Sequence, residues 1–301
     1  MLIKIDPALK VYPNFEQNLL GHWQDATSKY PENLIIGVFC QGSQNYELED
    51  AESDLDTKCL VVPSIKSLYT GKETVRPYST YIRNNAEHIV MVDIRTFFEH
   101  LKRGSSNYIE LLYSKAAIIN PTYQVLWETL VAKREELAHQ DPSQVIKSLN
   151  QMIQDKFQNL LRGRSFPSRS NILLTYGYDP KELSHLIRAY YLLVDYIAGK
   201  SFADCLVGTP VHRDYLKQLK RYPSYSADEA IALGQRYAEE AAEITKVYGK
   251  SAKINLQTDF IETYLEDFII KSIEFELEKR RSREIDYGNT IFKQFTDQQT
   301  V

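Results

Sequence analysis

The chain has 301 residues, 43% of them hydrophobic and 25% charged, which supports one large or two medium cores and excludes a disordered composition. Its formal net charge of −4 gives no global reason for tight binding to nucleic acid or to an anionic membrane. No apolar run approaches spanning length, the N-terminus lacks a signal-peptide core, and Cys40, Cys59 and Cys205 show no metal-ligand spacing. The expectation is a soluble, cytoplasmic protein with structural thiols and no membrane partner.

Residues 13–30 read as the first helix. Phe15, Leu19, Leu20, Trp23 and Ala26 recur at helical spacing after Pro13-Asn14, a stripe suited to covering one face of a sheet. His22 and His100 have no partners at ligand spacing and read as surface or packing residues. Two short apolar runs follow, Leu34–Cys40 and Cys59–Val62, bounded by turn formers and read as buried strands. Gly42-Ser43 closes the first strand, and Asp54 and Asp56 open the second.

Two carboxylates two residues apart on a strand share one face and repel each other. A hard cation such as Mg²⁺ takes carboxylate oxygens and would neutralise both. Gly42 permits a positive φ and leaves room for a phosphate to approach the backbone. The Ser43 hydroxyl and nearby backbone amides can donate to the same phosphate. These pieces point to metal-assisted phosphoryl chemistry on a nucleoside triphosphate.

Gly42-Ser43, the interval Gln44–Ser53 and then Asp54-x-Asp56 resemble the signature of the DNA polymerase β-like nucleotidyltransferase superfamily. With 40 Asp and Glu among 301 residues, acidic-x-acidic arises by chance about five times. The resemblance therefore rests on the strand, Gly-Ser, spacing and second strand together. It implies a site for Mg²⁺, in a two-metal arrangement, with an NTP as substrate.

Pro63–Asn85 reads as a loop or excursion, and Gly71-Lys72-Glu73-Thr74 lacks the upstream glycine of a P-loop. His88–Ile94 is a third predicted strand, with Ile89, Met91 and Asp93 on one face. Asp93 is a carboxylate in an apolar strand, which is costly unless it is paired or bound to metal. The resemblance implies a third catalytic carboxylate on a neighbouring strand that helps deprotonate the attacking hydroxyl. Asp93 is the candidate, Glu87 the alternative, and an N-cap for the helix Arg95–Lys102 the structural reading of Asp93. Arg95, Phe97 and Glu110-Leu111-Leu112 are similar to a segment of a bacterial and phage branch of minimal nucleotidyltransferases, and Glu110 is expected to pair with Arg95. A last strand, Ala116–Asn120, ends at Pro121.

From Thr122 the periodicity is helical. Arg162, Arg164 and Arg169 lie in a loop that either is solvated or meets phosphate. Asp179-Pro180 opens a helix on which Lys181, His185 and Arg188 fall at i, i+4 and i+7 among apolar residues. Three basic groups in line on a largely buried helix need an anionic counterpart, which a triphosphate would supply. Gly177-Tyr178-Asp179, Lys181, His185 and Arg188 are similar to a pattern of the same branch, and the resemblance implies that Lys181 meets the nucleotide phosphates, while His185 and Arg188 either join it there or hold the cleft together. Gly199 reads as a helix-ending glycine, residues 210–222 as a basic connector, and Ser226–Glu229 as a capping box. Asp259 opens a long final helix.

The reading is an α+β chain: an N-terminal mixed-sheet nucleotidyltransferase palm, residues 1–121, and a C-terminal all-helical domain, residues 122–301, with the site between them. Asp54, Asp56 and Asp93 would hold metal and catalyse. Gly42, Ser43, Lys181, His185 and Arg188 would bind the nucleotide. A nucleoside monophosphate would pass to an acceptor hydroxyl with release of pyrophosphate. Basic segments tilt the acceptor toward RNA or tRNA, over protein or a small molecule. The rivals are a non-catalytic nucleotide- or partner-binding module and a kinase-like phosphotransferase that releases nucleoside diphosphate.

Overall fold

The computed structural model describes residues 1–9, 13–49, 53–72, 75, 79–83, 87–163, 170–250 and 258–298. The expected loop segment Arg164–Arg169, Glu73-Thr74 and the end of the C-terminal tail lie outside the described residues.

Chain order begins with β1 (Leu2–Ile5), α1 (Phe15–Lys29), β2 (Ile35–Gln41) and β3 (Asp56–Val61). It continues through α2 (Ile65–Thr70), β4 (Ser79–Arg83), β5 (Glu87–Asp93), α3 (Ile94–Lys102), α4 (Ser106–Ile109) and β6 (Ala116–Ile119). The strands form one mixed sheet in the order β1-β6-β2-β3-β5-β4. Only β3 and β5 run parallel among the described pairs. At Gly37 a Cβ would meet the Ile118 carbonyl oxygen at 2.7 Å, so a glycine lets β2 and β6 close on each other.

Each face of the sheet carries its own core. The α1 stripe, Leu19 and Trp23, covers Val38, Cys59, Ile89 and Met91. On the other face Ile36, Phe39, Leu60 and Val92 meet Phe97 and Trp127. Phe39 packs against Trp127 with ring centroids 4.2 Å apart and planes tilted by 34°. Phe97 is fully buried there, and its truncation to alanine would cost about 3–5 kcal/mol.

Helices fill the rest: α5 (Gln124–Ala132), α6 (Arg134–Ala138), α7 (Pro142–Leu161), α8 (Ser170–Tyr176), α9 (Pro180–Ile197), α10 (Phe202–Val207), α11 (Pro210–Arg221), α12 (Ala227–Tyr248) and α13 (Thr258–Gln298). Their starts follow from local chemistry. Asp141 and Asp179 cap α7 and α9, each followed by proline at the first helical position, where the missing N–H costs nothing. Ser226 and Glu229 form the expected capping box. The chain is thus a mixed sheet followed by a mostly helical region.

The same core extends from the sheet into these helices through Leu130, Leu149, Leu183 and Leu193. α13 returns to the sheet side, where Ser272 donates to the Pro63 carbonyl at 3.3 Å and Lys102 meets Glu262 at 3.0 Å. β1, α2 and β4 are additions to the sequence reading. Asp54 precedes β3 instead of lying on it, so the two carboxylates do not share a strand face. Among the described residues, no helix is long and apolar enough to cross a membrane.

Candidate active site

β2 and β3 are antiparallel, and Gln41 pairs with Asp56. The chain therefore leaves the sheet at Gly42 at the same end where Asp54 and Asp56 bring it back. Gly42 has φ 78°, and a Cβ there would find nothing within 4 Å. Glycine supplies a left-handed turn beside open space. The two acids differ: Asp54 is exposed, while Asp56 is half-buried and accepts from the His88 amide at 3.0 Å and the His88 imidazole at 3.1 Å.

Facing this loop is the first half of α9. Lys181, His185 and Arg188 line the same cleft of about 450 Å³ as Gly42, Ser43 and the two aspartates. Burial, with Arg188, Lys156, Lys181 and Lys220 nearby, pushes the His185 imidazole well below its ordinary range. Burial also lowers the Arg188 guanidinium to about 10, against the pull of Glu110, so Arg188 remains charged at neutral pH. Its Cζ stacks 3.5 Å from the Tyr46 ring centroid, and its Nε is buried without a hydrogen-bond partner. A buried orphan donor in a cleft wall is a polar group awaiting an acceptor.

The structure adds Lys58, which sequence reasoning left out, and brings the basic connector to the cleft. Lys58 lies on β3 two residues beyond Asp56, and its ammonium donates to the Asn107 carbonyl at 2.7 Å. Burial lowers it to about 7, while Asp56 pulls the other way. The basic connector is the helix α11, which brings Lys217, Lys220 and Arg221 to the cleft. Their i, i+3, i+4 spacing is the signal that sequence carried for a common helix face.

Asp93, which the sequence reading places in the metal site, lies elsewhere. It pairs with Val61 at the far end of β3, about 16 Å along the strand from Asp56. One of its oxygens caps α3 through the Arg95 amide at 2.9 Å, and Arg95 holds both oxygens at 2.9 and 2.7 Å. The structural reading, an N-cap, is the one realised. Glu87 is no substitute, because it meets buried His22 at 3.3 Å on the α1 face. His22 also bonds Thr57 at 2.8 Å, so it is a core residue, while His100 stacks on Tyr108 at 4.1 Å. Glu110 does not pair with Arg95; it accepts from the Tyr46 hydroxyl and from the Gly42 amide at 3.4 Å. Cys40, Cys59 and Cys205 are free and buried, and burial raises all three thiols.

Among the described residues, no group of three or more His, Cys, Asp or Glu could hold a metal ion. Asp54 and Asp56 offer oxygen ligands at an open cleft. That donor set fits Mg²⁺, which is often held by one or two carboxylates while water and substrate phosphates complete its shell.

No family model matches the chain, and no curated protein matches it. Among solved structures, a nucleotidyltransferase-like protein from Exiguobacterium sibiricum is similar over 88% of this chain and 91% of its own, at 14% identity and a TM-score of 0.32.

Proposed function

We propose that this cleft transfers a nucleoside monophosphate from a Mg²⁺-bound NTP to an acceptor hydroxyl and releases pyrophosphate. The observation that carries the reading is the opposition of two chemistries across one cleft. Gly42-Ser43 with Asp54 and Asp56 stands on the sheet side, and Lys181, His185 and Arg188 stand on α9. A metal-bound triphosphate, with negative phosphates and a cation between them, complements both walls.

Asp54 and Asp56 would hold Mg²⁺, which neutralises charge developing on the phosphates. The Ser43 hydroxyl, the backbone at Gly42, Lys181 and Arg188 would orient the triphosphate, with the orphan Nε of Arg188 available to one of its oxygens. RNA or tRNA is the favoured acceptor class, because Lys217, Lys220 and Arg221 add positive charge at the cleft beyond that of α9.

Incubation with Mg²⁺ and each α-³²P-labelled NTP, with cell RNA and cell protein as acceptors, tests this. Label should appear in an acceptor with wild type and vanish with Asp56→Asn. Labelled nucleoside diphosphate in place of monophosphate transfer would identify the kinase-like rival. The non-catalytic module gains one specific observation: the β5 residue beside Asp56 is His88, not an acid. Tight Mg²⁺-dependent NTP binding without transfer would favour that module.

A further inference from the structure

Nucleotidyl transfer needs a group to take the acceptor's proton, and among the described residues the sheet brings no carboxylate to the cleft besides Asp56, which is assigned to the metal. His88 occupies the place beside Asp56 and is already bonded to it. Asp93 is held by Arg95 at the far end of β5. Glu87 faces α1.

One further carboxylate does line the cleft, Glu110. It opens the short turn Glu110–Tyr113 after α4 and is 3% exposed. One oxygen is fixed by the Tyr46 hydroxyl. The other accepts the Gly42 amide at 3.4 Å, long against the usual 2.9–3.0 Å of an N–H···O bond. That amide belongs to the left-handed residue whose side is open to the cleft. Glu110 therefore occupies, loosely, the donor that an incoming phosphate oxygen would use.

We propose that Glu110 is a catalytic residue, released from Gly42 by the arriving triphosphate and serving as general base toward the acceptor hydroxyl. The inference rests on the nucleotidyl-transfer reading. The acceptor oxygen forms its bond to the α-phosphorus and its proton passes to Glu110. The bond from the α-phosphorus to the bridging oxygen breaks, and pyrophosphate leaves with that electron pair. Tyr46 keeps hold of the other carboxylate oxygen throughout. Facing Glu110 are Arg188 from α9, Tyr46 and the Gly42 amide from the loop, and Cys40 from β2. Burial raises the Glu110 carboxyl to about 7, with Arg188 and the Gly42 amide opposing, a range in which a general base works at neutral pH.

A strut that only braces Tyr46 and Gly42 would make the same contacts, so the test must separate proton transfer from support. Wild type, Glu110→Gln, Glu110→Asp and Asp56→Asn are compared for Mg²⁺-dependent conversion of ATP to AMP and pyrophosphate. Water is the acceptor, and the range runs from about pH 5.5 to about 9. Glu110→Gln should bind Mg·ATP as well as wild type or better, yet turn over about 10²–10⁴-fold more slowly and lose the acidic limb of the profile. Glu110→Asp, which keeps an acid, should be slower but retain that limb, and it stands in should the glutamine variant fail to fold.

A wild-type rate and profile for Glu110→Gln, with Asp56→Asn inactive, would overturn the base and leave the transferase reading standing. Weaker ATP binding at unchanged kcat would overturn it too, making Glu110 a binding residue. Absence of Mg·ATP binding by wild type would sink the underlying reading and this inference with it.

Discussion

Gln41 and Asp56 pair across β2 and β3, and this one register places the Gly42-Ser43 turn and the two aspartates at the same end of the sheet. Asp56 is half-buried and accepts two bonds from His88. Asp56→Asn keeps an acceptor for that residue but removes the charge a metal needs. Label transfer from an α-labelled NTP is expected to fall by about 100-fold or more, with the melting temperature little changed. A variant that transfers label normally would remove Asp56 from the chemistry.

Asp93→Ala should behave in the opposite way. The substitution removes the α3 cap and leaves Arg95 without its bidentate carboxylate. A cap is worth about 0.5–2 kcal/mol and a broken buried pair up to about 3–5 kcal/mol. Because Arg95 is partly exposed, a total of about 2–4 kcal/mol is expected. Urea melts read that loss, while turnover per folded molecule stays at the wild-type value. A drop in turnover without a loss of stability would return Asp93 to the active site.

Gly42→Ala separates backbone conformation from crowding. At φ 78° an alanine is strained by about 1–2 kcal/mol, and its methyl meets nothing within 4 Å. The methyl would instead stand where a phosphate approaches the backbone. Calorimetric titration should show NTP affinity reduced about tenfold or more, well beyond what the modest stability loss explains. Unchanged affinity would place the triphosphate elsewhere in the cleft.

How far the sequence carries can be traced residue by residue. The apolar run into Gly42-Ser43 announces a strand and its end, because the β-branched run and the glycine are local signals. The stripe Lys181, His185, Arg188 is equally local, since helical period alone puts it on one face. Asp93 is different. Strand alternation puts it with Ile89 and Met91, but which face meets the cleft depends on the register Thr57 with Ile89, a long-range fact. That register turns the Asp93 face toward α1 and puts His88 beside Asp56. Sequence reasoning misassigns Glu110 to Arg95, its neighbour along the sequence, because its partner Tyr46 lies 64 residues away. α2 and β4 escaped because Pro63–Asn85 has no clear period, and β1 because it is four residues long.

His185 gives the pH dependence a sign. Burial first, then Arg188, Lys156, Lys181 and Lys220, hold its imidazole well below the ordinary value of 6.5. The unfolded chain therefore binds the proton more readily below that value. The contribution of His185 to stability is present above pH 6.5 and is lost as pH falls toward the folded value. His185→Gln should flatten this acid slope in melts recorded across that range. Ligand binding adds a second readout. A triphosphate beside His185 sets anions against that field of cations and raises the imidazole again. NTP binding near pH 6 should then take up a proton, seen as a dependence of calorimetric heat on the ionisation enthalpy of the buffer. His185→Gln should abolish that uptake. Equal uptake by wild type and variant would assign the proton to another group, and no uptake by wild type would place the phosphates away from α9.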